Sequence, residues 1–197
     1  MHGRAPFGHG GCMTAMDEKT VAFLTAPEGV ERVELTHPWE AVTDAGARAE
    51  LLSTQTGKVA TYDHLDKAET RPVDRLVADA SVEDYDALVL PGGVANPDAL
   101  RLDKDAVAFV RDFVASGKPV AAICHAGWML AEAEVVSGRR VTSWPSLETD
   151  LRNAGATWLD EPLVTDGNLI TSRKPDDLPG FTNALLEAVA HGAAGTR

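Results

Sequence analysis

Cys124 is followed directly by His125 and lies between small residues, Ala122 two before it and Ala126 two after. A thiol beside an imidazole can serve nucleophilic catalysis: the thiolate attacks while a neighbouring group moves the proton. Small residues at those spacings let the chain turn sharply from a strand into a helix, as in a nucleophile elbow. The side chain on such a turn faces a helix N-terminus, whose unpaired N–H groups and dipole favour a thiolate. The competing reading is a small buried hydrophobe, since free cysteines are among the most buried residues. Position and flanks favour a nucleophile or redox centre. Whether His125 reaches the sulfur is open, because a residue beside an elbow nucleophile points away from it unless the turn is unusual.

Two further groups could join Cys124. Glu28, Glu31 and Glu34 follow the first apolar run, and Gly92-Gly93 closes the third. A carboxyl from any of the three glutamates could hydrogen-bond the sulfur and carry protons. Backbone N–H groups near Gly93 and His125 could form an oxyanion hole, because glycine lets the backbone approach closely. Taken singly, the glutamates read as a solvated helix face and the glycines as a tight turn. In open α/β sheets, however, the functional crevice lies beyond the carboxyl ends of the strands, and all three groups follow strands.

Those strands and their helices are readable in order. Residues 21–25 form a short apolar run, a buried first strand. Glu28 opens a helical segment to about residue 45, with Pro38 expected to kink or delay it, and Gly46 ends it. Strands are expected at 48–54 and 86–90. Residues 55–80 are polar and without clean period, and read as a meandering connection with a short strand near 71–77. A helix over 103–116 shows Val107, Val110 and Val114 on one face. The strand into Cys124 is followed by a helix, a strand at 140–144, and a helix from Ser146 (a capping-box residue) to Asn153. Strands at 156–159 and 163–173, the latter folded at Asp166-Gly167, precede a last helix over 178–190. Alternating strands and helices give an α/β fold, one three-layer α/β/α domain around a mostly parallel sheet. The domain is placed at 19–191, with a flexible leader at 1–18 and a tail at 192–197. Met13 or Met16 could equally open the chain.

Composition narrows the function. The chain has 197 residues, 44% of them apolar and 24% charged, with a formal net charge of -12. No basic stripe is present, which argues against a nucleic-acid partner held through phosphates. No apolar run reaches the roughly 18 residues of a membrane span. The leader lacks the apolar core of a secretory signal. The two cysteines, Cys12 and Cys124, do not suggest a disulfide framework, so a reducing cytoplasmic compartment is expected. His2, His9 and Cys12 lie among glycines, and no metal site is expected there. No cofactor signature is present.

The motifs 89–93 (Val-Leu-Pro-Gly-Gly), 122–125 (Ala-Ile-Cys-His), 31–35 (Glu-Arg-Val-Glu-Leu) and 142–144 (Thr-Ser-Trp) resemble the ThiJ/PfpI superfamily, within the class I glutamine amidotransferase-like fold. Residues 164–168 and 171–173 match as well, and the likeness runs from about 19 to 190. It is strongest to the PfpI branch of intracellular proteases, general stress proteins and deglycases. The resemblance implies a flavodoxin-like strand order and Cys124 as the elbow nucleophile with strained backbone. It assigns the thiol-bonding carboxylate to Glu31. It matches His125 to a histidine that can pair with an acid from a neighbouring subunit. That position falls here on Asp98, where the archaeal protease has glutamate. A homo-oligomer, dimer or hexamer, is implied in the same way. A true glutamine amidotransferase is disfavoured, since residues 172–177 hold no histidine for the late His-Glu pair of those enzymes.

The expected activity is therefore a cofactor-free, stress-related cysteine enzyme acting on reactive carbonyls, of glyoxalase or deglycase type. Thiolate addition to an aldehyde would precede hydrolysis, and the substrate would be a small carbonyl or a glycated or peptide adduct. The alternatives are an intracellular cysteine peptidase or amidase using Cys124 and His125, and a non-enzymatic redox sensor or chaperone whose thiol oxidises to sulfinate.

Overall fold

The apolar run after Lys19 folds as β1 (Thr20–Thr25), with five of its six residues buried. It lies inside a sheet, so both of its faces need apolar cover. The computed structural model describes residues 15–191; the tail and most of the leader, with His2, His9 and Cys12, fall outside them. After β1 come β2 (Glu28–Glu31), α1 (Arg32–Asp44), β3 (Arg48–Ser53), β4 (Lys58–Asp63), β5 (Asp66–Pro72) and β6 (Arg75–Leu76). The chain continues through β7 (Ala87–Leu90), α2 (Ala95–Leu100), α3 (Lys104–Ala115), β8 (Val120–Ile123) and α4 (Gly127–Glu132). It ends through β9 (Arg140–Val141), α5 (Glu148–Asn153), β10 (Thr157–Trp158), β11 (Leu163–Asp166), β12 (Leu169–Ser172) and α6 (Leu178–His191).

The main sheet has the order β11-β12-β8-β7-β1-β3-β6. Every neighbouring pair is parallel except β11 with β12, which form the hairpin expected at Asp166-Gly167. The five central strands follow the flavodoxin-like order, which puts the ends of β1, β7 and β8 side by side. Side chains alternate across the sheet. Phe23, Val89 and Ile123 pack on one face with Leu35 and Phe181, while Leu24, Leu88 and Ala122 pack on the other with Phe113 and Leu130. Helices on both faces complete the α/β/α layers. No helix of the described residues is long and apolar enough to cross a membrane.

Four local expectations need correction. Glu28–Glu31 is a strand rather than the opening of the helix; it pairs in parallel with β4. The supposed meander is an antiparallel hairpin of β4 and β5, which joins β2 in a second, three-stranded sheet. Its signal was hidden because β5 buries no residue fully and so carries no apolar alternation. Ser146 does not cap a helix: residues 145–147 form a short 3-10 turn led by Pro145, and α5 starts after it without a side-chain cap. The strand expected at 140–144 is likewise confined to Arg140–Val141. Pro38 does lie inside α1, where its ring nitrogen has no proton for the carbonyl of Glu34.

Candidate active site

At the end of β8 the backbone of Cys124 takes a φ of 63°, in the left-handed region. A non-glycine residue there costs about 1–2 kcal/mol, and such strain gathers at functional sites. A 3-10 turn over Cys124–Ala126 then leads into α4. The Trp144 N–H donates to the Cys124 carbonyl at 3.1 Å and holds the turn from the far side. This unusual turn answers the question left open for His125: its Nδ1 lies 3.2 Å from the Cys124 Sγ. The imidazole stacks on Trp144, with centroids 5.8 Å apart, and meets the edge of Trp128 at 5.3 Å. Trp144 is itself positioned, because Ser143 Oγ donates to its carbonyl and accepts from Trp158 Nε1, both at 2.9 Å.

The carboxyl at the thiol belongs to Glu34, not Glu31. Glu34 sits fully buried in the first turn of α1, and its side chain engages that of Cys124. Its Oε2 accepts from the Gly92 N–H at 3.0 Å, while Oε1 has no conventional hydrogen-bond partner. Gly92 has to be glycine: a Cβ there would lie 2.6 Å from the Cys124 Cβ and collide with the Glu34 carboxyl. The buried amide of Asn96 fixes this turn. Its Nδ2 donates to the carbonyls of Pro91 and Gly92 at 2.9 and 3.1 Å, and its Oδ1 accepts from the Ala26 N–H at 2.7 Å. The ends of β1 and β7 are thereby tied together around Glu34. Glu31 closes β2, just ahead of the helix, and lines the same cavity without a hydrogen bond to the thiol. Its Oε2 accepts from the backbone N–H of His64, at the tip of the β4–β5 hairpin, at 3.1 Å.

Burial governs the charge states. It pushes the Glu34 carboxyl up to about 8, with repulsion from Glu31 adding to the rise; the Cys124 side chain and the N–H groups of Gly92 and Gly93 pull the other way. Glu34 therefore holds its proton at neutral pH. Burial, then the charge Glu34 would carry, pushes the Cys124 thiol well above its ordinary value. The backbone N–H groups of Gly93 and His125 oppose that rise by facing the sulfur. The expected thiolate-favouring helix terminus is thus outweighed in the resting site. Proton and charge are coupled: a proton on Glu34 removes the repulsion that keeps the thiol neutral. Burial also lowers the His125 imidazole, so it is neutral at physiological pH.

Cys124, His125, Glu34 and Glu31 share one open cavity of about 320 Å³, rimmed at its mouth by His64, Leu65, Val94 and Trp144. Glu28 and Asp98 do not line it. They line an adjoining hollow that shares His64, Leu65 and Val94. Asp98 is exposed on α2 and does not meet Cys124 or His125 within one chain. Among the described residues no group of three or more His, Cys, Asp and Glu could hold a metal ion. Sequence reasoning missed Asn96, whose role depends on both β1 and β7, and His64, hidden in the unread hairpin.

The model of the DJ-1/PfpI family matches residues 19–188. The chain is 40% identical over 169 residues to a protein of Escherichia coli (strain K12) named "Protein/nucleic acid deglycase 2", covering 85% of this chain and 96% of that one. It is 36% identical over 168 residues to "Putative cysteine protease YraA" of Bacillus subtilis (strain 168), again covering 85% of this chain and 96% of the relative. Among solved structures it is similar to a two-domain protein of Anabaena variabilis with DJ-1/ThiJ/PfpI-like and ferritin-like domains, with TM-score 0.83 and 35% identity. That match covers 91% of this chain and half of the longer one.

Proposed function

The chain belongs to the DJ-1/PfpI family, and from that premise we propose that it is a cysteine-dependent enzyme acting on reactive carbonyl compounds. The observation that carries the reading is a carboxyl that keeps its proton at neutral pH, buried against an elbow thiol. Such a pair can add across a carbonyl without a cofactor. Sγ bonds to the aldehyde carbon of an α-oxoaldehyde as the Cys124 thiol passes its proton to His125 Nδ1, 3.2 Å away, which hands it back to Glu34 when the cycle closes. The C=O π electrons move to oxygen, which takes the proton of Glu34 and yields a hemithioacetal. Glu34, now a carboxylate, removes the hydrogen from that carbon and returns it to the adjacent carbonyl carbon through an enediol, while the hydroxyl proton of the hemithioacetal passes to the neighbouring oxygen. The product of this step is a thioester. Water then cleaves the C–S bond, releases a hydroxy acid and returns the thiol. The sum is α-oxoaldehyde plus water to hydroxy acid, with no external oxidant or reductant.

The relatives' names support an enzymatic role and include both a deglycase and a protease. The carbonyl reading is favoured over the peptidase because the hydrogen bond made by the His125 ring is to the thiol, and no carboxylate among the described residues orients it. A peptidase would need Asp98 of a second subunit, in a homo-oligomer, to supply that group. Incubation with methylglyoxal, free of thiols and amine buffers, tests the reading. Lactate formation by wild type and its loss in Cys124→Ala are expected. Hydrolysis of fluorogenic peptides without lactate formation would select the peptidase instead.

A further inference from the structure

Glu31 lines the Cys124 cavity without touching the thiol, and its position gives it a separate task. Its side chain is only 13% exposed, between the buried Glu34–Cys124 pair and the hairpin tip. The hydrogen bond from the His64 N–H fixes the carboxylate toward the mouth. The His64 ring is 89% exposed, with Nδ1 4.0 Å away, so it offsets little of that charge. No lysine or arginine lines the cavity. Arg173 is bound by Asp160 and Asp177; Arg32, which also feels the Glu31 charge, is bound by Asp63 and lies 3.9 Å from Glu69. The rest of the rim is apolar, from Leu65, Val94 and Trp144. The entrance thus presents one negative charge in a partly desolvated setting, where Coulomb terms are strong.

We propose that Glu31 is a specificity-determining residue, a charge filter that disfavours anionic carbonyl compounds at Cys124 and admits neutral or cationic ones. Resting on the carbonyl function proposed above, this names the substrate class: uncharged α-oxoaldehydes and carbonyl adducts on amines or guanidines, against α-oxo acids such as glyoxylate. The neutral Glu34 adds no charge of its own at neutral pH, so the discrimination rests with Glu31.

The test is alkylation of Cys124 at neutral pH by iodoacetamide and by iodoacetate, a neutral and an anionic reagent of nearly equal size, followed by mass spectrometry of the Cys124 peptide. 2-Mercaptoethanol gives the intrinsic rate ratio. Iodoacetate should be disfavoured at Cys124 by about tenfold beyond that reference, and Glu31→Gln should remove most of the excess. Any change in thiolate fraction affects both reagents alike and cancels in the ratio. A wild-type ratio equal to that of 2-mercaptoethanol overturns the filter even if the variant does not fold, and so does an excess that Glu31→Gln preserves. Steady-state kcat/KM for methylglyoxal and glyoxylate forms a second arm. Absent methylglyoxal turnover would overturn the carbonyl function alone, because the alkylation ratio judges the filter independently of catalysis.

Discussion

Glu34 carries the residue-scale consequences. Its carboxyl is held at about 8, against an ordinary 4.5, so the folded state keeps a proton there that the unfolded chain loses. The Glu34 contribution to stability is therefore greatest below about 4.5, declines as pH rises toward about 8, and changes no further above that. The slope is at most about 1.4 kcal/mol per pH unit for one group. Glu34→Gln keeps the shape and removes the titration. Its denaturation midpoint should change less than wild type's between mildly acidic and mildly alkaline buffer, as followed by circular dichroism. The same carboxyl was legible in the sequence only as one of three. Glu28, Glu31 and Glu34 are alike in type and differ in whether they fall in a strand, at its end or inside the first helical turn. The resemblance pointed to Glu31 for its place just before the Val-Glu-Leu run, whereas the carboxyl at the thiol is the glutamate inside that run, three residues on and in the first turn of α1.

At the scale of elements, the site depends on close contact between the ends of β1, β7 and β8. Gly92→Ala would drive a methyl group into Cys124 and Glu34. Turnover should fall by about 100-fold or more, and the thermal midpoint should drop as well, because overpacking a core typically costs about 1–3 kcal/mol. The hairpin tip is different. Leu65 is 94% exposed at the cavity mouth, so Leu65→Ala should leave the thermal midpoint in place while raising KM more than it lowers kcat. Steady-state kinetics on methylglyoxal separate the two. These elements were unequally legible. β1, β7 and β8 are short continuous apolar runs, and β1 and β7 end at Pro/Gly turns that mark them as buried strands, while α3 shows its face through Val107, Val110 and Val114. In the β4–β5 hairpin β4 buries Val59 and Ala60 but β5 buries no residue, so no paired alternation marks it, and Asn96 has meaning only once β1 and β7 are neighbours.

For the whole molecule, the parallel sheet and its two apolar layers followed from the alternation of strands and helices, and the flavodoxin-like order agreed with the resemblance. What the described residues of a single chain do not provide is a carboxylate on His125. If the carbonyl reading holds, Asp98→Ala should leave methylglyoxal turnover within about threefold of wild type, whatever the oligomeric state found by analytical ultracentrifugation. A peptidase completed across subunits would lose its activity in that variant.

The central claim is that Cys124 and Glu34 act as one proton-coupled pair. Lactate formation from methylglyoxal by wild type, Cys124→Ala and Glu34→Gln tests it most directly, with the wild-type thiol confirmed reduced. The account predicts turnover in wild type, loss in Cys124→Ala, and a loss of at least about 100-fold in Glu34→Gln, the scale of a missing general acid–base. A Glu34→Gln protein within about tenfold of wild type, or a reduced wild type that makes no lactate, would contradict it.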